Sequence, residues 1–408
     1  MDYLKLFQTH EEYEAFVSGG TMVRPNVSHC VSENEVHYNP IPHDYSKDYL
    51  TFVALQDGQF GFNTSISNVI SYSLDEGKTW TELENGSHTP TVTAGNKIMW
   101  KGELEEIDER NGVGSFGSSG RFDVQGNVMS LLYGDNFEEQ TNTSRLVYLF
   151  CKVILQLEVG NEYYPCAVVN AKNLVLPATT LSAYCYGRMF YNCTSLTTAP
   201  ELLATTLAEG CYNGMFDGCT SLVTAPSVLP ATTLAGNCYE NMFSTCTSLT
   251  VAPELPATTL AILCYQNMFE GCTSLTTAPE LPATTLAEGC YGSMFYNCTS
   301  LTDAPELPAT TLADWCYDGM FINCTSLTTA PELPATTLAE SCYGGMFYGC
   351  TNLNSITCLA TNIPATNCTL DWVNGVSANG TFVKAASMTG WTTGVSGIPN
   401  GWTVQNAS

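Results

Sequence analysis

The sequence predicts an α+β repeat protein, a solenoid with a period of about 26 residues preceded by a small antiparallel β domain. Three observations carry this. Cys185, Cys211, Cys238, Cys264, Cys290, Cys316 and Cys342 recur at intervals of 26, 27, 26, 26, 26 and 26 residues, and the sequence around them recurs with them. Each is followed eight residues later by a second cysteine, from Cys193 to Cys350. Ahead of the array, stretches such as FVALQDGQFGF, KIMWKGEL and GRFDVQGNVMSLL alternate apolar and polar residues between turn signals, the pattern of half-buried strands.

Four segments follow in order. Residues 1–48 are irregular, broken by Pro25, Pro40 and Pro42, and read as an attachment segment. Residues 49–137 form the antiparallel β domain, and 138–368 the solenoid, of about eight to nine rungs. The stretch CKVILQLEVGNEYYP interrupts its start as an insertion of about thirteen residues, after which Cys166 and VVNAKNLVLPATTL resume an extended half-repeat. Residues 369–408, rich in Gly and Thr with Trp372, Trp391 and Trp402, read as a cap over the open end of the core.

A typical unit, CTSLTTAPELPATTLAEGCYGSMFYNC from Cys272 to Cys298, divides in two. CTSLTTA and the Pro-bracketed APELP predict a short parallel strand running into polyproline-like backbone. Thr285 with Glu288, repeated as Thr206 with Glu209, Thr311 with Asp314 and Thr337 with Glu340, has capping-box spacing and predicts a helical second half. Cys290, Tyr291, Met294, Phe295 and Cys298 pair at intervals of four and form its inward side. Eight residues of helix rise about 12 Å, beyond the ~7 Å Cα limit for a disulfide, so these cysteines are expected as free, packed thiols. Their spacing is not that of a zinc ribbon.

Charge excludes several functions. The 408 residues carry 39 acidic and 13 basic side chains, a net charge of −26, and no Lys or Arg occurs from Met189 to Val383, where fifteen Asp and Glu do. Such a field repels phosphate backbones and anionic bilayers, so nucleic acid is not expected as a partner. The apolar run from Leu146 to Val159 contains Lys152 and is too short for a membrane helix, so no membrane insertion is expected. MDYLKLFQTHEEYEAF lacks the features of a signal peptide, so classical secretion is not expected.

Candidate chemistry is sparse. His10, His29, His37, His43 and His88 all precede the repeats and fit no standard metal spacing. SLDEGKTW, Ser73 to Trp80, resembles the Asp-box of sialidase propeller blades, where Asp75 and Gly77 would make a hairpin turn with Trp80 packed beneath; the arginine cluster of such an enzyme is missing. Glu201, Glu254, Glu280, Glu306 and Glu332 recur once per rung, a column that either splays into water or is screened by cations such as calcium. No cofactor and no catalytic residue is assigned.

The informative positions vary while the frame stays fixed. Helical geometry directs them outward on one stripe, where Tyr191, Tyr296 and Tyr348 share a register with Asp217, and Asp314, Trp315 and Asp318 lie nearby. Drift on a solvated face explains such variation. Aromatic faces beside carboxylates also suit sugar rings, which makes these seven residues the candidate ligand-binding set.

The unit resembles the BspA-like leucine-rich repeats, with Cys272, Leu275, Leu281 with Pro282, and Phe295 with Cys298 in the family's register, over about Cys166 to Cys368. It departs in using Cys-Tyr and Met-Phe where Ile-Gly and Ala-Phe are usual, and in carrying Pro279, which lacks a ladder donor. The whole architecture, from VHYNP to GIPNGWTV, is also similar to tail-associated and surface proteins of gut bacteria and their phages. That resemblance implies adhesion or host recognition without catalysis: a tail-associated receptor-binding part of a virion, or a protein of the cell surface. The expected partner is a host-surface protein or glycan, with a virion or envelope partner at the N-terminal segment. A structural subunit of a virion or surface filament, or a bacterial adhesin, is the alternative, and homo-oligomerisation stays open.

Overall fold

The computed structural model describes residues 43–63, 70–84, 87–104, 115–141, 149, 153–157, 160–164, 167–363 and 365–407. The chain divides into two compact units, Met1–Lys47 and Asp48–Ser408. Most of the first, including the expected attachment segment and His10, His29 and His37, lies outside the described residues; its described end is a 3-10 turn at Tyr45–Lys47, entered through an Asp44 carboxylate that accepts from the Ser46 amide.

The second unit opens with strands β1 (Leu50–Ala54), β2 (Phe60–Asn63), β3 (Ile70–Ser73), β4 (Thr81–Leu83), β5 (Lys97–Gly102), β6 (Ser115–Ser118) and β7 (Phe122–Asn127). A four-residue helix α1 (Ser130–Tyr133), an antiparallel hairpin of β8 (Val153–Leu157) and β9 (Gly160–Tyr164), and β10 (Val168–Val175) follow. The hairpin occupies the stretch read as an insertion. Six strands form one sheet in the order β10-β7-β1-β5-β3-β4, antiparallel except that β10 runs parallel to β7. The expected antiparallel sheet is thus present in part, with one parallel edge, and it belongs to the same compact unit as the repeats. Alternation buries one face: Phe52 packs on Phe60, Trp100, Phe116 and Phe122 with centroids 4.5–5.7 Å apart.

β10 also starts the repeats. Its other edge bridges Thr198 through Asn170, with Thr197 N–H donating to the Val169 carbonyl and Ala171 N–H to Thr198. From there each coil bonds the next about 26 residues on. The extended half is reduced to single parallel bridges, at Thr198 and Thr224, Val251 and Thr277, and Thr277 and Asp303, with a second series at Thr180 and Thr206, Thr233 and Thr259, and Thr285 and Thr311. Prolines between the two series supply no ladder donor, which keeps the strands this short.

The predicted helical half is not a helix. Among the described residues of the repeats there is no α-helix, and the capping-box threonines Thr206, Thr285 and Thr311 sit in the second bridge series instead. From Trp315 to Asn323 alternate amides do different work. Asp318, Met320 and Ile322 donate three residues back, closing consecutive tight turns, while Trp315, Tyr317, Gly319, Phe321 and Asn323 donate to carbonyls of the next coil at 2.7–3.1 Å. Every fourth residue takes a positive φ: Gly210, Gly214 and Gly218; Asn237, Asn241 and Thr245; Gly289, Ser293 and Asn297. A helix cannot hold a left-handed residue each turn, and glycine and asparagine tolerate that conformation best. A four-residue turn keeps nearly the period of a helix, so the inward set was correctly placed on the wrong backbone.

That inward set is the core. The cysteines, Tyr186, Met189, Phe190 and their counterparts in every coil are buried. Tyr186, Tyr212, Tyr239, Tyr265, Tyr291, Tyr317 and Tyr343 stack at 5.7–6.1 Å, and Phe190 to Phe347 form a parallel column at 5.4–5.8 Å. The second cysteine of each later pair, Cys219 to Cys350, donates its thiol hydrogen to a phenylalanine carbonyl of the preceding coil at 3.0–3.2 Å. These thiols are free, but Cys193 departs from the expectation and is disulfide-bonded. The parallel strands β11 (Ser355–Cys358), β12 (Thr381–Lys384) and β13 (Thr403–Asn406) continue the ladder, and Trp372, with Trp391 stacked on it at 5.5 Å, ends the core.

Candidate functional site: the turn face of the coils

The candidate residues sit on the run of turns, and the loss of the helix changes what this face is. Because the turns pack coil on coil, side chains lean onto their neighbour instead of standing into water. A Cβ on Gly210 would strike the Tyr184 ring at 2.6 Å, one on Gly289 would strike Leu263, and one on Gly344 would strike the Asp318 carboxylate. Part of the variation along the stripe is therefore paired packing, a large residue on one coil over glycine on the next.

The seven residues fall into two groups. Tyr191 and Asp217 are counterparts on adjacent coils near the start of the stack. Tyr191 is half-buried with the Arg188 guanidinium over its ring at 5.4 Å. Asp217 is half-buried, and burial pushes its carboxyl up, opposed by nearby Arg188. The other five span three consecutive coils. Tyr296 is half-buried; Asp314 is exposed and accepts from the Glu340 amide at 3.0 Å; Asp318, half-buried, has its carboxyl raised to about 6 by burial. Tyr348 is 43% and Trp315 45% exposed. Tyr296 and Tyr348 share a register with half-buried Ile322 between them, an apolar position of the same stripe outside the aromatic and acidic set.

Trp315 also carries backbone strain. Its φ is +60°, the left-handed conformation that this position takes in the other coils too, at Tyr184, Gly210, Asn237, Leu263, Gly289, Ser341 and Asn367. A bulky residue held there costs on the order of 1–2 kcal/mol.

The Asp-box segment makes the expected turn between β3 and β4. Asp75 accepts from the Thr79 amide and hydroxyl and from Ser73, which hold its carboxyl down at about 2. Gly77, at φ +80°, lies against the Trp80 ring. Of the histidines, His43 packs edge-on against Tyr45, and among the described residues no group of three His, Cys, Asp or Glu is placed to hold a metal ion.

No family model matches the chain, and no curated protein does. Eight chains of solved structures match, among them two leucine-rich repeat proteins. One, from T. pallidum, is a leucine-rich repeat protein, 20% identical over 52% of this chain and 72% of that one, with a TM-score of 0.24. The other, from Bacteroides ovatus, is a leucine-rich repeat protein, 16% identical over 70% of this chain and 73% of that one, with a TM-score of 0.26. The chain is similar to leucine-rich repeat proteins. Among the described residues no helix is long and apolar enough to cross a membrane.

Proposed function

We propose that the chain is a non-catalytic recognition protein, a solenoid that presents its turn face to a glycan or protein on a host-cell surface. Trp315 is the observation that carries this reading. Its indole, 45% exposed on the turn face, offers a ligand a large aromatic surface, and it is held, like Tyr184 and Leu263, in a left-handed backbone that glycine or asparagine takes at lower cost. Asp314 and Asp318 on the same coil, and Tyr348 on the next, supply the carboxylate acceptors and second aromatic face that sugar recognition uses. The setting favoured by the resemblance is a tail-associated virion component with the N-terminal segment docked to the particle; immunogold labelling of particles against cell envelopes distinguishes that home from a bacterial surface.

The decisive experiment compares the parent with Tyr191→Ala, Tyr296→Ala, Trp315→Ala and Tyr348→Ala combined, on a glycan array and on whole cells. Attachment is abolished with the melting temperature nearly kept. Binding equal to the parent removes the turn face from consideration. One observation favours an assembly subunit as a second reading: β13, with all four residues exposed, is the edge of its parallel sheet, a template for another strand. Concentration-dependent assembly that a proline at Val404 suppresses is its signature.

A further inference from the structure

On the extended half of the coils, two successive repeats enclose a groove of about 500 Å³, lined by Pro253, Glu254, Leu255, Pro256, Glu280 and Pro282 among others. Pyrrolidine rings line it and bring no backbone donors, and much of the remaining lining is polar. Glu254 and Glu280 are the charged groups of the lining; both are exposed, in register one coil apart. The main chain holds Glu254 in place, its N–H donating to Ser227 and its carbonyl accepting from Leu229.

Glu201, in the same column, shows what such a carboxylate does when a donor is at hand: it accepts from the Ser227 amide at 3.0 Å and hydroxyl at 2.8 Å on the next coil. At Glu254 the counterpart on the next coil is Glu280, and at Glu280 it is Glu306. Like charges opposed on neighbouring strands destabilise each other. No Lys or Arg between Met189 and Val383 relieves them.

We propose that this groove binds an extended, lysine- or arginine-bearing segment of a partner protein. The aliphatic stem of a cationic side chain lies on the rings of Pro256 and Pro282, and its head sits between Glu254 and Glu280. Glu306 and Glu332 carry the column onward, so a segment with several cationic residues gains further contacts. This inference is independent of the turn face, since it uses none of its residues.

The test is fluorescence anisotropy of labelled hexalysine with the full chain at low salt, hexaglutamine being the uncharged control and calcium the competitor. Hexalysine binds and hexaglutamine does not. Glu254→Gln with Glu280→Gln weakens binding roughly tenfold, whereas Glu138→Gln with Glu139→Gln, the same change in net charge on exposed residues of the β region, leaves it within about twofold. Pro256→Ala with Pro282→Ala weakens it several-fold, with circular dichroism melts confirming that each variant is folded. Equal weakening by both glutamate pairs reduces the effect to overall charge and overturns the proposal. So does binding of hexaglutamine, or calcium binding that depends on Glu254 and Glu280 while hexalysine binding does not.

Discussion

The indole of Trp372 stacks on the ring of Tyr343 with centroids 6.3 Å apart and planes 22° from parallel. The same indole lies tilted over Phe347 at 6.2 Å, so one side chain terminates both the tyrosine and the phenylalanine columns. Its Nε1–H donates to the Gly397 carbonyl at 2.8 Å, which ties the tail to the last coil and satisfies that buried donor. Trp372→Ala removes all three contacts and is expected to cost about 3–5 kcal/mol. Hydrogen exchange should show protection lost first in the coil from Cys342 to Cys350. Uniform loss over all coils would mean that the columns unfold as one body and the cap is not a local lock.

Coil-to-coil bonding at a fixed offset makes the stack modular. Deleting Thr273 to Cys298, one 26-residue unit, joins two equivalent coils and preserves the tyrosine, phenylalanine and thiol columns. Deleting Thr273 to Thr285 brings an extended half against a turn run and destroys all three. The first variant is expected to melt cooperatively within a few degrees of the parent and the second to be unfolded. Similar melting of both would show that the repeat boundaries are misplaced.

The period, the inward residues and the capping tryptophans were legible because burial depends on side-chain spacing, which sequence displays directly. Cys290, Tyr291, Met294 and Phe295 are inward on a helix and inward on a chain of turns. The backbone was misread because spacing of four does not separate those two. The distinguishing signal was present: Gly289, Ser293 and Asn297, or Gly210, Gly214 and Gly218, place residues tolerant of left-handed φ at every fourth position, where a helix former would stand. The coupling of Tyr184 to Gly210 and of Asp318 to Gly344 was not legible, since it depends on which way a side chain leans across coils.

Burial pushes the Cys211 and Cys290 thiols up to about 12 and the Cys246 thiol well above its ordinary value, so thiolate is scarce at neutral pH. Modification must therefore wait for the stack to open. Ellman's reagent should label the native chain at the rate of unfolding, and label the free thiols promptly in denaturant without reductant. Native labelling as fast as denatured labelling would contradict the packing.

Two carboxylates give opposite pH dependences. Asp318, raised to about 6, keeps a proton in the folded state between about pH 4 and 6 that the unfolded chain has released, so stability falls as pH rises through that window. Asp217 and Glu270, also raised by burial, act in the same direction. Asp75, held at about 2 by Thr79 and Ser73, contributes stability that is present above about pH 4 and lost as pH falls toward 2. Melting temperature should therefore rise from pH 7 to pH 5 and drop below pH 4. Asp318→Asn should flatten the upper limb alone and Asp75→Asn the lower one. An upper limb unchanged in Asp318→Asn would assign it to the other carboxylates.

Trp315→Gly separates stability from recognition. Glycine occupies the equivalent position in Gly210 and Gly289 at positive φ, so the substitution relieves left-handed strain of about 1 kcal/mol while removing an indole that is 45% exposed. The melting temperature is expected to hold or rise slightly, opposite to the usual effect of truncating a tryptophan, while cell or glycan binding weakens. A clear loss of stability would show that the indole packs productively on the next coil, as Tyr184 does over Gly210, and would count against an indole kept for ligand contact. Unchanged binding with raised stability would leave Trp315 unexplained and move the search to Tyr348 and Ile322.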